Sequence, residues 1–415
     1  MDFEKVLKEV GHFGRYQKVR LVLLSAPILI SVLHLYIQVF AAGKSDHWCR
    51  SWKNEDCRDL NLTQKECEDI KKHISIPTKE GTSNQTENEF EQCVKYNVTG
   101  LDFKTATEGK VTPMDKIPCD DGWVHDRSVF PSTIIIDFEL VCGRSYIPNI
   151  VQSVYFAGYL VGSSAFGVAA DMFGRRNTLL FCYMTGGLFG IVTAFSSNVW
   201  MYLVLRFCIA TVLKGTGLCC FVLATELVAP SKRVFVGNFM WLFFAAGYTV
   251  LAGSAKLIPD WRILQLVLTL PYIPLLIITY FFVPESPRWL TNQKRSEDAE
   301  KVLRKMAKVN KRIISDDFME RAFNRNEFNH SRKLKGTLKE VVRSRVFLIL
   351  LINMCFNWAV QSLVFYGLSL STSSLGIDPY IFFIVSGAIE IPGSEGREQH
   401  LALCCSAEYA VVSPL

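Results

Sequence analysis

Along this chain hydrophobic residues do not alternate with polar ones; they gather into long uninterrupted blocks. The stretches 21–43, 145–170, 234–255 and 263–283 contain no Lys, Arg, Asp or Glu. Each is long enough to cross a bilayer core as one helix of roughly 20 residues. Two further charge-free stretches, 177–205 and 346–377, are longer still. The first reads as one whole span, a Ser196-Ser197-Asn198 turn and the start of another. The pattern predicts helices near 21–43, 145–170, 177–196, 200–228, 234–256 and 262–283, with a seventh from residue 346. The apolar run 380–389 is too short to span unaided. The fold class predicted is an all-α polytopic membrane protein, since only helices or closed barrels satisfy their backbone polar groups in lipid.

Composition agrees: 50% of residues are hydrophobic and 20% charged, apolar-rich for a soluble protein. The net charge of +6 is spread along the chain, so no nucleic-acid partner is expected. Lys and Arg instead crowd alternate connections: Lys5, Lys8, Arg15, Lys18 and Arg20; Arg175 and Arg176; Lys232 and Arg233; and the stretch 288–345. By the positive-inside rule these connections are cytoplasmic, and 44–144 lies outside. No small-residue cleavage site follows the first apolar run before Lys44, so it is expected to be a retained helix rather than a signal peptide. The organisation expected is a cytoplasmic N-terminus (1–20), a first span (21–43), an extracellular loop (44–144) and five more spans (145–283). A cytoplasmic loop with short helices (284–345), a seventh span with a partial eighth (346–393) and a tail (394–415) complete it.

The outer insert holds Cys49, Cys57, Cys67, Cys93, Cys119 and Cys142 with no C-x-x-C pair. Zinc binding would want closer pairing, so disulfides are expected and no metal. Six cysteines allow about 15 pairings, and spacing does not choose among them. Sequons at Asn61, Asn84 and Asn97 fall in this same predicted extracellular region and are expected to be glycosylated. A fourth, at Asn329, falls on the inner side and is expected to be silent. The loop is also a candidate surface for oligomer formation. In the inner insert, Ser296 is placed to cap a helix with Glu297, Asp298 and Glu300 in its first turn and Ala299, Leu303 and Met306 on one face. This insert reads either as a lid-like or regulatory bundle, with a phosphorylation candidate near Thr337, or as a solvated connector following anionic headgroups.

Several short motifs are more specific. Between the second and third predicted spans, 167–176 reads Gly-Val-Ala-Ala-Asp-Met-Phe-Gly-Arg-Arg, a charged turn pinned between two helices. Its spacing resembles the cytoplasmic loop signature of the major facilitator superfamily. Asp120-Asp121-Gly122-Trp123-Val124 and Phe138-Glu139-Leu140-Val141-Cys142 close the cysteine-bearing loop, Pro284-Glu285-Ser286-Pro287-Arg288-Trp289-Leu290 follows the sixth span, and Glu390-Ile391-Pro392-Gly393 sits in the eighth. Over about residues 1–393 the chain resembles the organic cation, anion and zwitterion transporters, solute carrier family 22. The resemblance implies a major facilitator N-terminal six-helix bundle plus a partial second bundle, a disulfide-rich extracellular insert and a plasma-membrane location. The family continues the eighth helix and adds four more, whereas this chain diverges after Gly393, so a C-terminally shortened product is expected. The tail's Cys404 and Cys405 read as a palmitoylation site or as part of an unstructured end.

No nucleophile elbow, phosphate loop or metal-spaced cluster occurs, so no enzyme activity and no cofactor are expected. His34 is the only histidine within a span, and reads as a helix-packing residue or a proton relay. The fourth span carries Arg206, Lys214 and Glu226; the eight-residue spacing puts Arg206 and Lys214 on roughly one side. Arg206 and Glu226 lie near the ends and are placed to snorkel, while Lys214 is mid-helix. The resemblance implies an inner charge network of Asp171, Arg175, Arg176, Glu226, Arg233, Glu285 and Arg288, whose ion pairs bias outward-facing against inward-facing states. It also implies a cavity lined by Lys214, Phe221, Trp241, Phe244, Trp358, Phe365, Tyr366 and Glu390. Aromatic faces beside one carboxylate suit a small organic cation or a carnitine-like zwitterion. Organic anions fit less well, because the seventh and eighth helices supply no second cavity cation. A non-transporting half-bundle that partners a full-length relative is the alternative from another class; an adhesion module built on the outer loop is a third.

Overall fold

The structure, a computed structural model of the 415-residue chain, describes residues 3–11, 13–52, 63–78, 90–98, 103, 106, 115–315, 318–319, 345–370 and 378–390. Cys57, Asn61, Asn84, Asn329, Thr337, Cys404 and Cys405 lie outside the described residues. Among the described residues seven helices are long and apolar enough to cross a membrane: Arg15–Ala41, Cys142–Phe173, Arg175–Ala194, Val199–Glu226, Pro230–Leu257, Trp261–Phe282 and Arg345–Gly367. In chain order the helices are α1 (Phe3–Glu9), α2 (Arg15–Ala41), α3 (Gln64–Ser75), α4 (Ile134–Asp137) and α5 (Ile147–Phe173). There follow α6 (Arg175–Ala194), α7 (Val199–Glu226), α8 (Arg233–Leu257), α9 (Trp261–Thr269), α10 (Tyr272–Phe282), α11 (Pro287–Asn292), α12 (Ser296–Val309) and α13 (Arg345–Leu370). The shorter apolar helix Pro379–Glu390 is α14.

The chain divides into two compact units: one of 1–39, 152–258 and 262–415, the other of 40–151 with 259–261. In the first, α2 begins at Arg15, inside the stretch assigned to the N-terminal tail, because Arg and Lys are good helix formers and continue the helix beyond its apolar block. Asn198 caps α7 by accepting from the Met201 N–H at 2.8 Å, which fixes the turn between the third and fourth spans. The backbones of α5 and α7 approach closely: a Cβ added at Gly158 would lie 2.6 Å from the Phe207 carbonyl oxygen. The sixth span is two helices rather than one, because Pro271 has no N–H to give the carbonyl four residues earlier. Ser296 is the first residue of α12 and not its cap. The position before it is Arg295, whose guanidinium pairs with Asp298 at 2.7 Å. The apolar face of α12 is buried as the periodicity requires, through Ala299, Leu303, Met306 and Ala307.

The second unit carries β1 (His47–Cys49), β2 (Val94–Tyr96), β3 (Lys116–Pro118) and β4 (Trp123–His125). β1 pairs antiparallel with β4, His47 opposite His125, and β2 with β3, Val94 opposite Pro118. Strands this short bury little apolar surface, so covalent and polar ties supplement them. Cys49–Cys119 and Cys93–Cys142 are disulfides, and Cys67 is disulfide-bonded as well. Lys95, 3% exposed, meets Asp120 at 2.5 Å and Asp121 at 2.9 Å. Burial works against its charged form, but the two carboxylates outweigh it and hold its pKa above the ordinary lysine value. Trp261 donates to Asp137 at 3.0 Å.

Candidate functional site

The 167–176 motif is built around one glycine. Gly174 has φ +97°, which an L side chain rarely adopts, and any Cβ there would run into the Glu285 carboxylate. That carboxylate accepts from the backbone N–H of Arg175 at 3.0 Å and of Arg176 at 3.1 Å, so it caps the N-terminus of α6 from a residue 110 positions away. Burial raises the Glu285 pKa, while the Ser286, Arg176 and Arg175 N–H groups and the Arg175 charge oppose that rise. Arg175 carries the rest of the node. Its guanidinium meets Asp171 at 2.9 Å and Glu226 at 3.2 Å, and donates to the Ala170 carbonyl at 3.2 Å. The Asp171 side chain is 74% exposed against 14% for Glu226, so the Glu226 contact is the less screened of the two. Trp289 donates to the Asp171 carbonyl at 2.8 Å, tying α11 to the end of α5. The Arg176 guanidinium donates to the Tyr280 carbonyl at 2.6 Å.

Of the seven residues expected in the charge network, Asp171, Arg175 and Glu226 meet through side-chain ion pairs, and Glu285 joins them through the backbone N–H groups of Arg175 and Arg176. Arg233 and Arg288 line a cleft of about 570 Å³ together with Glu226, Phe221 and Trp241. Residues expected in two different sites, network and cavity, thus share one cleft.

From Trp241 a path of rings runs across the helices. Trp241 to Phe244 is 4.9 Å between centroids, Phe244 to Phe365 is 6.5 Å, Phe365 to Tyr366 is 5.3 Å, and Tyr366 to Phe156 is 4.9 Å. Phe156 touches Tyr159 at 6.3 Å, and the Lys214 ammonium stands 5.8 Å from the Tyr159 ring. Tyr36, Tyr248 and Phe383 join from α2, α8 and α14, with the Tyr36 and Tyr248 hydroxyls 3.0 Å apart. The sequence reading missed Tyr36, Phe156, Tyr159, Tyr248 and Phe383. The three-residue step between Phe156 and Tyr159 was a usable signal, since it places both rings on one helix face. Trp358 is 62% exposed and has no ring partner among the described residues, so α13 contributes Phe365 and Tyr366 to the path and not Trp358. Glu390 is half-buried at the end of α14.

Arg206 does not snorkel. It is 0% exposed, lies 4.2 Å from the Tyr155 ring centre and donates to the His34 carbonyl at 2.7 Å. Tyrosines one helical turn apart on α5 thus face both cations of α7, in line with their eight-residue spacing. A ring face and a carbonyl replace the water an arginine would otherwise reach for. His34, also 0% exposed, lies 3.5 Å from Gln265 and stacks on Tyr272 at 6.1 Å.

Comparison with known proteins gives a consistent result. The family described as "Sugar (and other) transporter" matches residues 124–391. Solute carrier family 22 member 6-B of Xenopus laevis is 31% identical over 404 residues, covering 94% of this chain and 69% of that protein. Solute carrier family 22 member 7 of Rattus norvegicus is 31% identical over 401 residues, covering 94% and 72%. The beta-alanine transporter of Drosophila melanogaster is 29% identical over 421 residues, covering 94% and 67%. Among solved structures, the major facilitator proton:xylose symporter XylE bound to 6-bromo-6-deoxy-D-glucose superposes with a TM-score of 0.54 at 14% identity, over 91% of this chain and 68% of that one, a likeness of fold alone. The seven apolar helices, the Gly174 turn and these matches agree: the chain belongs to the sugar (and other) transporter family and, within it, to solute carrier family 22, a family of major facilitator transporters and not of enzymes.

Proposed function

We propose that the protein moves a small organic cation or zwitterion across the plasma membrane by alternating access. The observation that carries this reading is the ring path from Trp241 through Phe244, Phe365, Tyr366 and Phe156 to Tyr159. Aromatic faces attract a desolvated cation. Lys214 at one end and Glu390 on α14 supply one charge of each sign, which suits a molecule bearing both. The name of the beta-alanine transporter describes a zwitterionic amino acid, in keeping with that pairing. In the cycle, Arg175 and Glu226 hold one state closed, and separation of that pair opens the cleft beside Trp241. The N-terminus is cytoplasmic and 44–144 extracellular, with Asn97 glycosylated beside β2.

The test is uptake of labelled quaternary ammonium and carnitine-like compounds into cells expressing the chain. Uptake should fall by about tenfold for Glu390→Gln if one carboxylate neutralises the bound cation. Equal uptake by Glu390→Gln and the parent would remove Glu390 from the site. A second reading has one observation in its favour: the apolar window of α13 is 0% buried within the chain, a face free to meet another protein. Under that reading the chain shows no uptake of its own and co-purifies with a full-length relative.

A further inference from the structure

In the second unit a histidine stands against one of the two described disulfides. Cys93–Cys142 joins the residue just before β2 to the residue at which the second span begins. His47 Nε2 lies 3.8 Å from Cys142 Sγ, and the ligand atoms of His47, Cys93 and Cys142 all fall within 4.8 Å of one another. The Ser45 carbonyl oxygen lies 3.3 Å from His47 Nδ1. A carbonyl can only accept, so the proton of the neutral ring sits on Nδ1 and the Nε2 lone pair faces the sulfur. Burial keeps His47 below the ordinary histidine pKa against the opposing Ser45 and Asp46 contacts, which favours that neutral form.

The other described disulfide differs in both respects. Cys49 is 1% exposed, and no imidazole lies at hydrogen-bonding distance of Cys49 or Cys119 among the described residues. Cys93, by contrast, is exposed, while Cys142 is half-buried beside the ring. An incoming thiol therefore reaches Cys93 first, and the sulfur expelled is the one with partners waiting, His47 Nε2 at 3.8 Å and the Gln92 carbonyl oxygen at 3.6 Å.

We propose that Cys93–Cys142 is a thiol-exchange site for small external thiols of the cysteine or glutathione class, with His47 as the group that receives the released Cys142 sulfur. A thiolate attacks Cys93 Sγ; the new bond joins it to Cys93, the Cys93–Cys142 bond breaks, and the electron pair leaves on Cys142. The His47 Nε2 lone pair takes the proton of the incoming thiol, and the imidazolium so formed faces the departing Cys142 thiolate and gives that proton to it. A second thiol attacks the mixed disulfide and releases Cys93 as a thiol. Two external thiols are oxidised to one disulfide and one protein disulfide is reduced. Exchange is faster when the leaving sulfur is stabilised, which is the contribution of His47. Opening releases β2 from the first residue of the second span. The proposal does not depend on what the protein transports.

The experiment uses the purified full chain in glutathione redox buffers, quenched by alkylation, with each cysteine quantified by mass spectrometry. Cys93 and Cys142 should become alkylated roughly tenfold faster than Cys49 and Cys119, and the glutathione adduct should appear on Cys93. His47→Ala should slow opening of Cys93–Cys142 roughly tenfold and leave the rate of Cys49–Cys119 unchanged. An adduct on Cys142, equal opening of both bridges, or an unchanged Cys93–Cys142 rate in His47→Ala would each overturn the proposal. If the substitution loosens both bridges together, the fold has been damaged, and the adduct position on the parent protein decides.

Discussion

Two arginines on neighbouring helices show two ways of keeping a positive charge inside a membrane protein. Arg206 on α7 is fully buried and rests on a tyrosine face and a backbone carbonyl. Arg175 at the start of α6 has a side chain 12% exposed and is held by two carboxylates from different helices. The first arrangement has no exchangeable partner: moving Arg206 would strand a guanidinium in a low-dielectric interior. The second can come apart, because water reaches Asp171 and can replace what Arg175 gives up. One arginine fixes how helices pack, and the other is suited to changing its contacts during a cycle.

Substitutions can break this contrast, in descending order of effect. Arg206→Ala should be the most damaging, removing a large buried side chain that bridges α2, α5 and α7; the expected loss is on the order of 3 kcal/mol, seen as a lower Tm and reduced yield of folded protein in detergent. Gly174→Ala should come next, costing about 1–3 kcal/mol, because the left-handed backbone and the Glu285 carboxylate both reject a Cβ. Its Tm should fall by less than that of Arg206→Ala, and a larger fall would invert the proposed division of labour. Glu226→Gln should leave Tm within a few degrees yet change uptake several-fold, since it weakens an exchangeable pair without opening a cavity. Asp171→Asn should have the smallest effect on stability, about 0–1 kcal/mol, as expected for a pair with one largely exposed partner. If Asp171→Asn lowered Tm as much as Arg206→Ala, exposure would be a poor guide to which charges hold the fold.

The extent to which the sequence announced these features follows from the range of the interactions. The helices were legible because a run of uncharged residues is a local property, and the Gly174 turn because its residues adjoin one another. Arg206 was misread for the opposite reason. Its place eight residues into α7 suggested a side chain reaching outward, and only His34, 172 positions earlier, shows why it turns inward. Glu285 was expected among the network charges, but its role as cap of α6 depends on Gly174, which sequence distance hides. The ring path suffered likewise: α8 and α13 announced Trp241, Phe244, Phe365 and Tyr366, while Tyr36, Phe156 and Tyr159 on α2 and α5 were not singled out. Ser296 missed its cap position by one residue because Arg295 was free to fold back on Asp298.

The interruption at Pro271 bears on how the Gly174 turn is held. Downstream of it, α10 is an 11-residue rod ending three residues before Glu285. At the standard rise per residue that rod is about 16 Å long. A tilt of about 10° at the proline swings its far end by roughly 3 Å, as much as a hydrogen bond is long. The sixth span is therefore jointed at Pro271, and the carboxylate that caps α6 stands three residues beyond the tip of its second arm.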